Sequence, residues 1–533
     1  MKTYILPLII LLLFFSMGCD RAGRGPQGPA TETPVGEYPV ETDRVIRYWL
    51  GLELNTSANF ANLGDTPFAK GLRERTGITV NYLHPPIGPG AREQLNLMIA
   101  DGTNLPDIIE WNWLIQYPGG PAKAIQDKVI LRLNDVIDQY CPNIKAFLKK
   151  YPDYDRMIKT DDGSYYAFPF IRMGETTLYT QGLVIRKDWL DELGLSPPAT
   201  IDEWYTTLVA FRDRKKCPNP FTLIFSNNER LFVESFGLLK NFYVSADTGK
   251  IQWGRIEPAY REWLATINKW YTEGLIDQDM LSNQTAQIAQ KMTSGSAGAT
   301  IASVGSGIGT WTNSSRPSNR NYELMAMRAP QRAAGQPVIY GIPNSIFIGT
   351  SAAITAGSKN VEIAARFLDY GYGEEGHMYY NFGIEGEAYN MTDGEPVYTD
   401  LILNNPQGWS VGQAMSAYNK AVVGGGAMAL DNAVNPQYYT LPEQKAALTA
   451  YNTPGASNYL LPPLTPTQEE SRELAIIMNE INTYSEEMIT KFILGTETLN
   501  DAAWNNYVNT IKKLNIDRAL AIQNAALDRY YKR

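Results

Sequence analysis

Histidine and cysteine are nearly absent from this chain. Its 533 residues contain two histidines, His84 and His377, and three cysteines, Cys19, Cys141 and Cys217. Zinc sites, haem sites and histidine-dependent acid-base catalysis draw on those side chains and have almost nothing to work with here. No CxxC, HExxH, GxSxG or P-loop motif is present. Excess basic charge is missing as well: 47 Lys and Arg face 56 Asp and Glu, for a formal net charge of −9. Phosphate binding needs clustered cations, so nucleic acid and anionic membrane surfaces are poor partners. Membrane-length apolar runs are also lacking. Tyr4 to Phe15 is too short for an ordinary spanning helix but suits the core of a signal peptide.

What the chain does have is length, enough for two or more domains of ordinary size. Ser16-Met17-Gly18-Cys19 follows the apolar run. A small residue directly before a cysteine resembles the bacterial lipobox, although Ser16 stands where that motif has Leu. The resemblance implies removal of the leader and lipidation of Cys19. Residues 20–43 are rich in Gly, Pro and Thr and poor in large apolar side chains, which predicts a flexible tether with a reach of roughly 25–30 Å. Cys141 and Cys217 are either one disulfide of an exported protein or two isolated small hydrophobes; no spacing rule favours the bond, and the second is the safer reading.

Beyond the tether, RVIRYWL (44–50), a helix from Thr66 to Arg75, ITVNYL (78–83), a helix from Arg92 to Ala100 and LPDIIEW (105–111) give a β-α-β rhythm. That rhythm predicts a parallel sheet with helices on both faces and ligands at the carboxyl ends of its strands. Two short strands follow, Tyr165 to Phe170 and Gly182 to Ile185. Thr200 and Glu203 form a capping box that starts a helix with Trp204, Leu208 and Phe211 on its buried face. Pro258 to Glu273 is a helix whose aromatic stripe, Trp263, Trp270 and Tyr271, has core periodicity. The glycines of SGSAGATIASVGSGIGTW (294–311) lack the order of a phosphate-binding loop, and no Lys follows them. Thr467 to Ile493 reads as a long amphipathic helix.

Several of these stretches together resemble the family 1 extracellular solute-binding proteins, the carbohydrate-binding lipoproteins of ABC importers. The resemblance rests on DGSYYAFP (162–169) leading into IRKDWLDELGLSPPATIDE (185–203), on YTEGLIDQD (271–279), and most specifically on FLDYGYGEEGHMYYNFGIEGEAY (367–389). It covers almost everything after the tether. The implied fold is α/β, a two-lobed periplasmic-binding-protein type II architecture in which each lobe is a mainly parallel sheet flanked by helices and joined by hinge crossings. The implied organisation is a signal peptide over 1–19, the tether over 20–43, a first lobe from 44–170 and 345–460, and a second lobe from 171–344 and 461–533.

The implied function is capture of an oligosaccharide and delivery to the transmembrane subunits of an ABC permease. The protein would be a monomer on the outer side of a bacterial membrane, without cofactor or nucleic acid. Sugar-stacking rings and polar partners are expected from Trp49, Glu110, Trp111, Asn112, Tyr179, Trp311, Glu385, Tyr389 and Trp409. Trp111 and Trp311 are the foremost pair, because polar Glu110 and Asn112 interrupt the apolar run around the first, and an aromatic after the glycine-rich strand often contacts sugar in this family. A tryptophan at a strand end is more often core than ligand-facing, and that reading stands beside the functional one. Many members carry an acidic Ca²⁺ loop where this chain has DRKKCPNP (213–220), cationic where carboxylates are needed. No calcium is expected there. Two rivals remain: a carbohydrate-active enzyme, which needs two carboxylates facing across a cleft at about 5–9.5 Å, and a helical-repeat glycan-binding lipoprotein, against which the β-α-β rhythm weighs.

Overall fold

The computed structural model describes residues 31–86, 90–225, 231–422 and 424–533. The expected leader, Cys19 and the tether as far as residue 30 lie outside them. Strands β1 (Val45–Trp49), β2 (Thr79–Leu83), β3 (Ile108–Asn112) and β4 (Phe168–Arg172) come first. β5 (Gln181–Arg186), β6 (Asn219–Phe221), β7 (Phe242–Val244), β8 (Ile251–Trp253), β9 (Ala297–Ser303) and β10 (Leu324–Met327) follow. The remainder are β11 (Phe347–Ile354), β12 (Tyr389–Thr392), β13 (Glu395–Tyr398) and β14 (Met428–Leu430).

Two sheets carry the architecture, one in the order β14-β4-β11-β3-β1-β2 and one in the order β10-β5-β9-β6. In the first, β1 runs parallel to both β2 and β3, and β14 runs parallel to β4, while β11 is antiparallel to its two neighbours. The second departs from a mainly parallel plan: β5 is antiparallel to both β9 and β10, and only β6 and β9 run parallel. A parallel neighbour needs a long crossover. β5 instead arrives from β4 after a short connector and enters its sheet from the hinge side.

Each sheet has its own apolar core. Ile46, Ile108, Phe168, Ala353 and Leu368 belong to the first; Ile185, Trp204, Trp263, Trp270, Phe492 and Tyr507 belong to the second. Cys141 sits in the first core and Cys217 in the second, so both are free thiols. The capping boxes form as their spacing dictates. Thr200 Oγ1 accepts from the Glu203 amide at 3.3 Å and the Glu203 carboxylate accepts from the Thr200 amide at 3.1 Å. Thr467 and Glu470 do the same at the head of the 27-residue helix Gln468–Leu494.

Two boundaries differ from expectation. The tether does not stay free to residue 43, because residues 33–40 pack on the first lobe. The buried guanidinium of Arg366 donates to the carbonyls of Thr33, Pro34 and Glu37, and Tyr38 donates back to the Arg366 carbonyl at 2.7 Å. Val40 is buried and bonds through its amide to Thr76 O at 2.8 Å. Gly77, with φ +72°, lets this strap approach: a Cβ there would lie 2.3 Å from the Val40 carbonyl oxygen. The chain also leaves the first lobe earlier than residue 460. Tyr439, Ala447 and Tyr451 pack with Val184, Leu324 and Trp311 of the second lobe, so the crossing lies just after β14.

The basic loop after the helix Ile201–Arg214 is held by its own cations. Arg214 donates to the Leu193 carbonyl at 3.0 Å, and Lys215 pairs with Glu192 at 2.6 Å while lying 5.4 Å from the Trp189 ring. A tethered ammonium repels a divalent ion placed beside it. Addition of calcium, or of a chelator, is therefore expected to leave the melting temperature unchanged in a thermal scan. A drop of several degrees on chelation would point to oxygen ligands elsewhere.

Candidate ligand cleft between the lobes

A cavity of about 1190 Å³ opens where the two lobes meet. The first lobe lines it with Leu114, Ile115 and Tyr117, just past the carboxyl end of β3, with Tyr154 and Arg156, and with Ser345 to Ile348 at the start of β11. From the second lobe come Phe242 and Trp253 of the β7–β8 hairpin, Asn482 on the long helix, and Gln523, Tyr530 and Tyr531 near the end of the chain. Asn458 and Leu460 to Pro466 run along the seam. The space exceeds the roughly 300–1,000 Å³ of ordinary small-molecule pockets, which suits a ligand of several linked units.

The wall combines rings with hydrogen-bonding groups and balances its own charge. Arg156 lies 3.5 Å from Asp153, and its guanidinium stands 5.9 Å from the Tyr530 ring and 6.0 Å from that of Tyr531. Tyr117 donates to Asp127 at 2.9 Å. Burial pushes the Tyr530 phenol up to about 12, so it is a neutral donor at ordinary pH. Gln523 Oε1 is a buried acceptor with no protein partner. Such an acceptor costs free energy unless a donor meets it. Flat rings beside amides and phenols stack on the C–H faces of sugars and bond to their hydroxyls.

None of the residues expected from sequence lines this cavity. Four of them are core. Trp49 is 2 % exposed and donates to Gln94 at 3.1 Å; Tyr179 is 3 % exposed and donates to the Thr453 carbonyl at 2.6 Å. Trp311 is 7 % exposed and packs among Leu178, Tyr179, Val184 and Tyr451. Tyr389 packs on Phe382, and Glu385, its neighbour across an isolated bridge, faces solvent. The glycine-rich run turns from β9 through a π-helical segment, Val304–Gly309, into the helix Thr310–Ser315, which carries the Trp311 ring into the second lobe instead of its cleft face.

The others keep surface at the strand ends. Trp111 is half-buried with its ring 5.8 Å from Trp49, and Asn112 bonds to the Ile348 carbonyl at 2.8 Å and caps the Ile115 amide. Glu110 accepts from Tyr48 at 2.8 Å and lies 3.5 Å from Lys420. Glu53, just past β1, feels both groups, and desolvation followed by the Glu110 charge raises its carboxyl above the ordinary range. Trp409 is half-buried, edge-on to Phe60 at 5.8 Å. Sequence reasoning missed Tyr530, Tyr531, Gln523 and Asn482. Tyr530 and Tyr531 belong to a run of aromatic and basic residues at the end of the chain, which reads as a closing helix, and nothing in the sequence around Asn482 or Gln523 singles those two out.

Two lobes with separate sheets, crossings between them and a large cavity at strand ends define a two-lobed α/β binding protein. Comparison with known families agrees: the model of the bacterial extracellular solute-binding proteins matches residues 62–378. The chain belongs to that family. It is 25 % identical over 495 residues to the fructooligosaccharide ABC transporter substrate-binding protein FusA of Streptococcus pneumoniae, covering 86 % of each chain. It is also 25 % identical over 317 residues to the polygalacturonan/rhamnogalacturonan-binding protein YtcQ of Bacillus subtilis, 56 % of this chain and 58 % of that one. Among solved structures, alginate-binding protein AlgQ2 without calcium ion superposes with a TM-score of 0.70 at 24 % identity, over 91 % of this chain and 99 % of that one. FusA in complex with kestose gives a TM-score of 0.70 at 21 % identity, over 92 % of this chain and 100 % of the other.

Proposed function

We propose that this protein captures an oligosaccharide between its lobes and hands it to the transmembrane subunits of an ABC importer, acting as a monomer and without chemical turnover. The observation that carries the reading is the interlobe cavity, aromatic and rich in hydrogen-bonding groups, in a chain whose relatives bear the names of oligosaccharide- and polysaccharide-binding proteins. Contacts from both lobes exist together only when the lobes are closed, so ligand draws the population toward that state. Trp111, Asn112 and Trp409 extend the binding surface along the strand ends of the first lobe.

A thermal-shift screen against malto-, fructo- and galacturono-oligosaccharides tests this, because a ligand that binds only the folded state raises the melting temperature by mass action. At about 100 times Kd the gain is roughly 2.7 kcal/mol. The bound sugar is expected back intact; shortened or unsaturated products would transfer the reading to a carbohydrate-active enzyme.

We further propose that lipidation at Cys19 anchors the protein outside a bacterial membrane. No helix among the described residues is long and apolar enough to cross a membrane. Cys19→Ser is expected to move the protein from the membrane fraction to the soluble fraction. Unchanged sedimentation would remove the anchor from the account.

A further inference from the structure

The helix Ile516–Tyr530 buries one face against the second lobe, and Ile516, Ala519, Ala526 and Tyr530 lie along it. Gln523 stands in the middle of that stripe, at the three- and four-residue steps where an apolar side chain would serve packing, and it is 7 % exposed. Its neighbour Asn524 uses both ends of its amide on the structure. Asn524 Oδ1 accepts from the Ile251 amide at 2.9 Å, and Nδ2 donates to the carbonyls of Ile251 at 3.2 Å and Leu520 at 2.9 Å. The Gln523 amide has no such role: Oε1 is buried and meets no donor, and the amide nitrogen makes no hydrogen bond among the described residues.

Several buried polar side-chain atoms lack a partner among the described residues, and Gln523 Oε1 is the only one of them whose residue lines the interlobe cavity. Bonds within the protein would account for a polar side chain in a core stripe, and here there are none. An unpaired buried acceptor is unfavourable in the empty protein, and a hydroxyl brought by a ligand removes that cost. The Asn524 bonds fix the helix backbone against the β7–β8 hairpin, while the terminal torsion of Gln523 is soft enough to turn the amide toward the cavity. An uncharged amide offers an acceptor beside donors. That pattern matches two neighbouring hydroxyls, one donating and one accepting, whereas a carboxylate would set its lone pairs against Oε1.

We propose that Gln523 is a specificity-determining residue of the interlobe cavity, its amide taking two adjacent hydroxyls of one sugar unit and fixing that unit against the second lobe. This rests on the reading of the cavity as an oligosaccharide site. It adds the residue and the hydroxyl pattern that it selects.

The test compares the mature chain with Gln523→Met, an unbranched apolar replacement of similar length, by melting curves without ligand and by calorimetric titration with maltotetraose, kestose and tetragalacturonate. Without ligand, Gln523→Met is expected to melt at the wild-type temperature or above it, because the change removes an unpaired acceptor from an apolar stripe. Its affinity for whichever of these sugars binds the wild type most tightly is expected to fall about tenfold or more, the scale of a lost hydrogen bond to a desolvated group. Gln523→Leu is expected to behave alike and carries the test if the Met variant does not fold. A residue that only packs would give the reverse, lower stability with affinity kept. Melting temperatures several degrees below wild type in both variants would mean that the amide serves the fold, and unchanged affinity would mean that it does not touch ligand. Either result overturns the assignment and leaves the oligosaccharide reading standing. No binding of any of the three sugars by the wild type would remove both.

Discussion

Trp311→Ala is expected to cost about 3–5 kcal/mol of folding free energy, the usual price of truncating a large buried aromatic. The ring is 7 % exposed, in a cluster with Leu178, Tyr179, Val184, Ile308, Tyr439 and Tyr451. Those neighbours come from separate stretches of chain that meet in the second lobe. Deleting the ring leaves a void that they cannot all close. Chemical denaturation should place Trp311→Ala beside Trp263→Ala, whose ring is fully buried and donates to the Leu231 carbonyl at 2.5 Å. Trp111→Ala, half-buried at a strand end, should cost less and act more on oligosaccharide affinity. If Trp311→Ala instead keeps nearly full stability and loses affinity, the ring reaches ligand and the cleft extends into the second lobe's core.

That contrast shows where sequence was a sufficient guide. Short-range signals carried their elements. Thr200 with Glu203 marked a helix start to the residue, and the Trp263–Trp270 stripe marked a core helix correctly. These depend on contacts within one or two turns, which spacing encodes. The strap at residues 33–40 did not show, because what holds it is a buried arginine more than 300 positions away. Composition alone presents that segment as a tether. The early crossing after β14 was hidden for the same reason: Tyr439 and Tyr451 read as loop aromatics until Val184 and Leu324 are brought beside them. At the cleft, tryptophan identity suggested stacking, but burial decides whether a ring has a face to offer. The cavity's own aromatics are scattered from Tyr117 to Tyr531, and the last two stand at the end of a helix whose periodicity looks structural.

Asp161→Asn should be as costly as any core truncation, about 3–5 kcal/mol, because it strips the counter-charge from a buried cation. Asp161 lies in the first lobe, before β4. The helix Ile516–Tyr530 and the residues just past it pack on the second lobe's hairpin, where Asn524 accepts from the Ile251 amide at 2.9 Å. From that side Arg529 reaches Asp161 Oδ2 at 2.5 Å and Arg533 reaches Oδ1 at 2.5 Å. The Arg533 side chain is 0 % exposed, and Thr465 adds a bond to Asp161 Oδ1 at 3.1 Å. An amide of the same size keeps the shape and some hydrogen bonding but not the charge, so the buried guanidinium is left uncompensated. Because this pair is shielded from solvent, added salt should rescue or mimic little of the effect. Arg529 also holds Glu470, whose carboxyl stays below its ordinary value although burial pushes the other way. A depressed carboxyl contributes stability above its unfolded pKa and loses it as pH falls through the folded one. The wild type should therefore weaken at acid pH at this clasp. Small-angle scattering of unliganded Asp161→Asn should also show a larger radius of gyration, since the clasp joins the lobes beside the cavity. A loss below about 1 kcal/mol, the scale of an exposed ion pair, with unchanged scattering would mean that the lobes are held by the chain crossings alone.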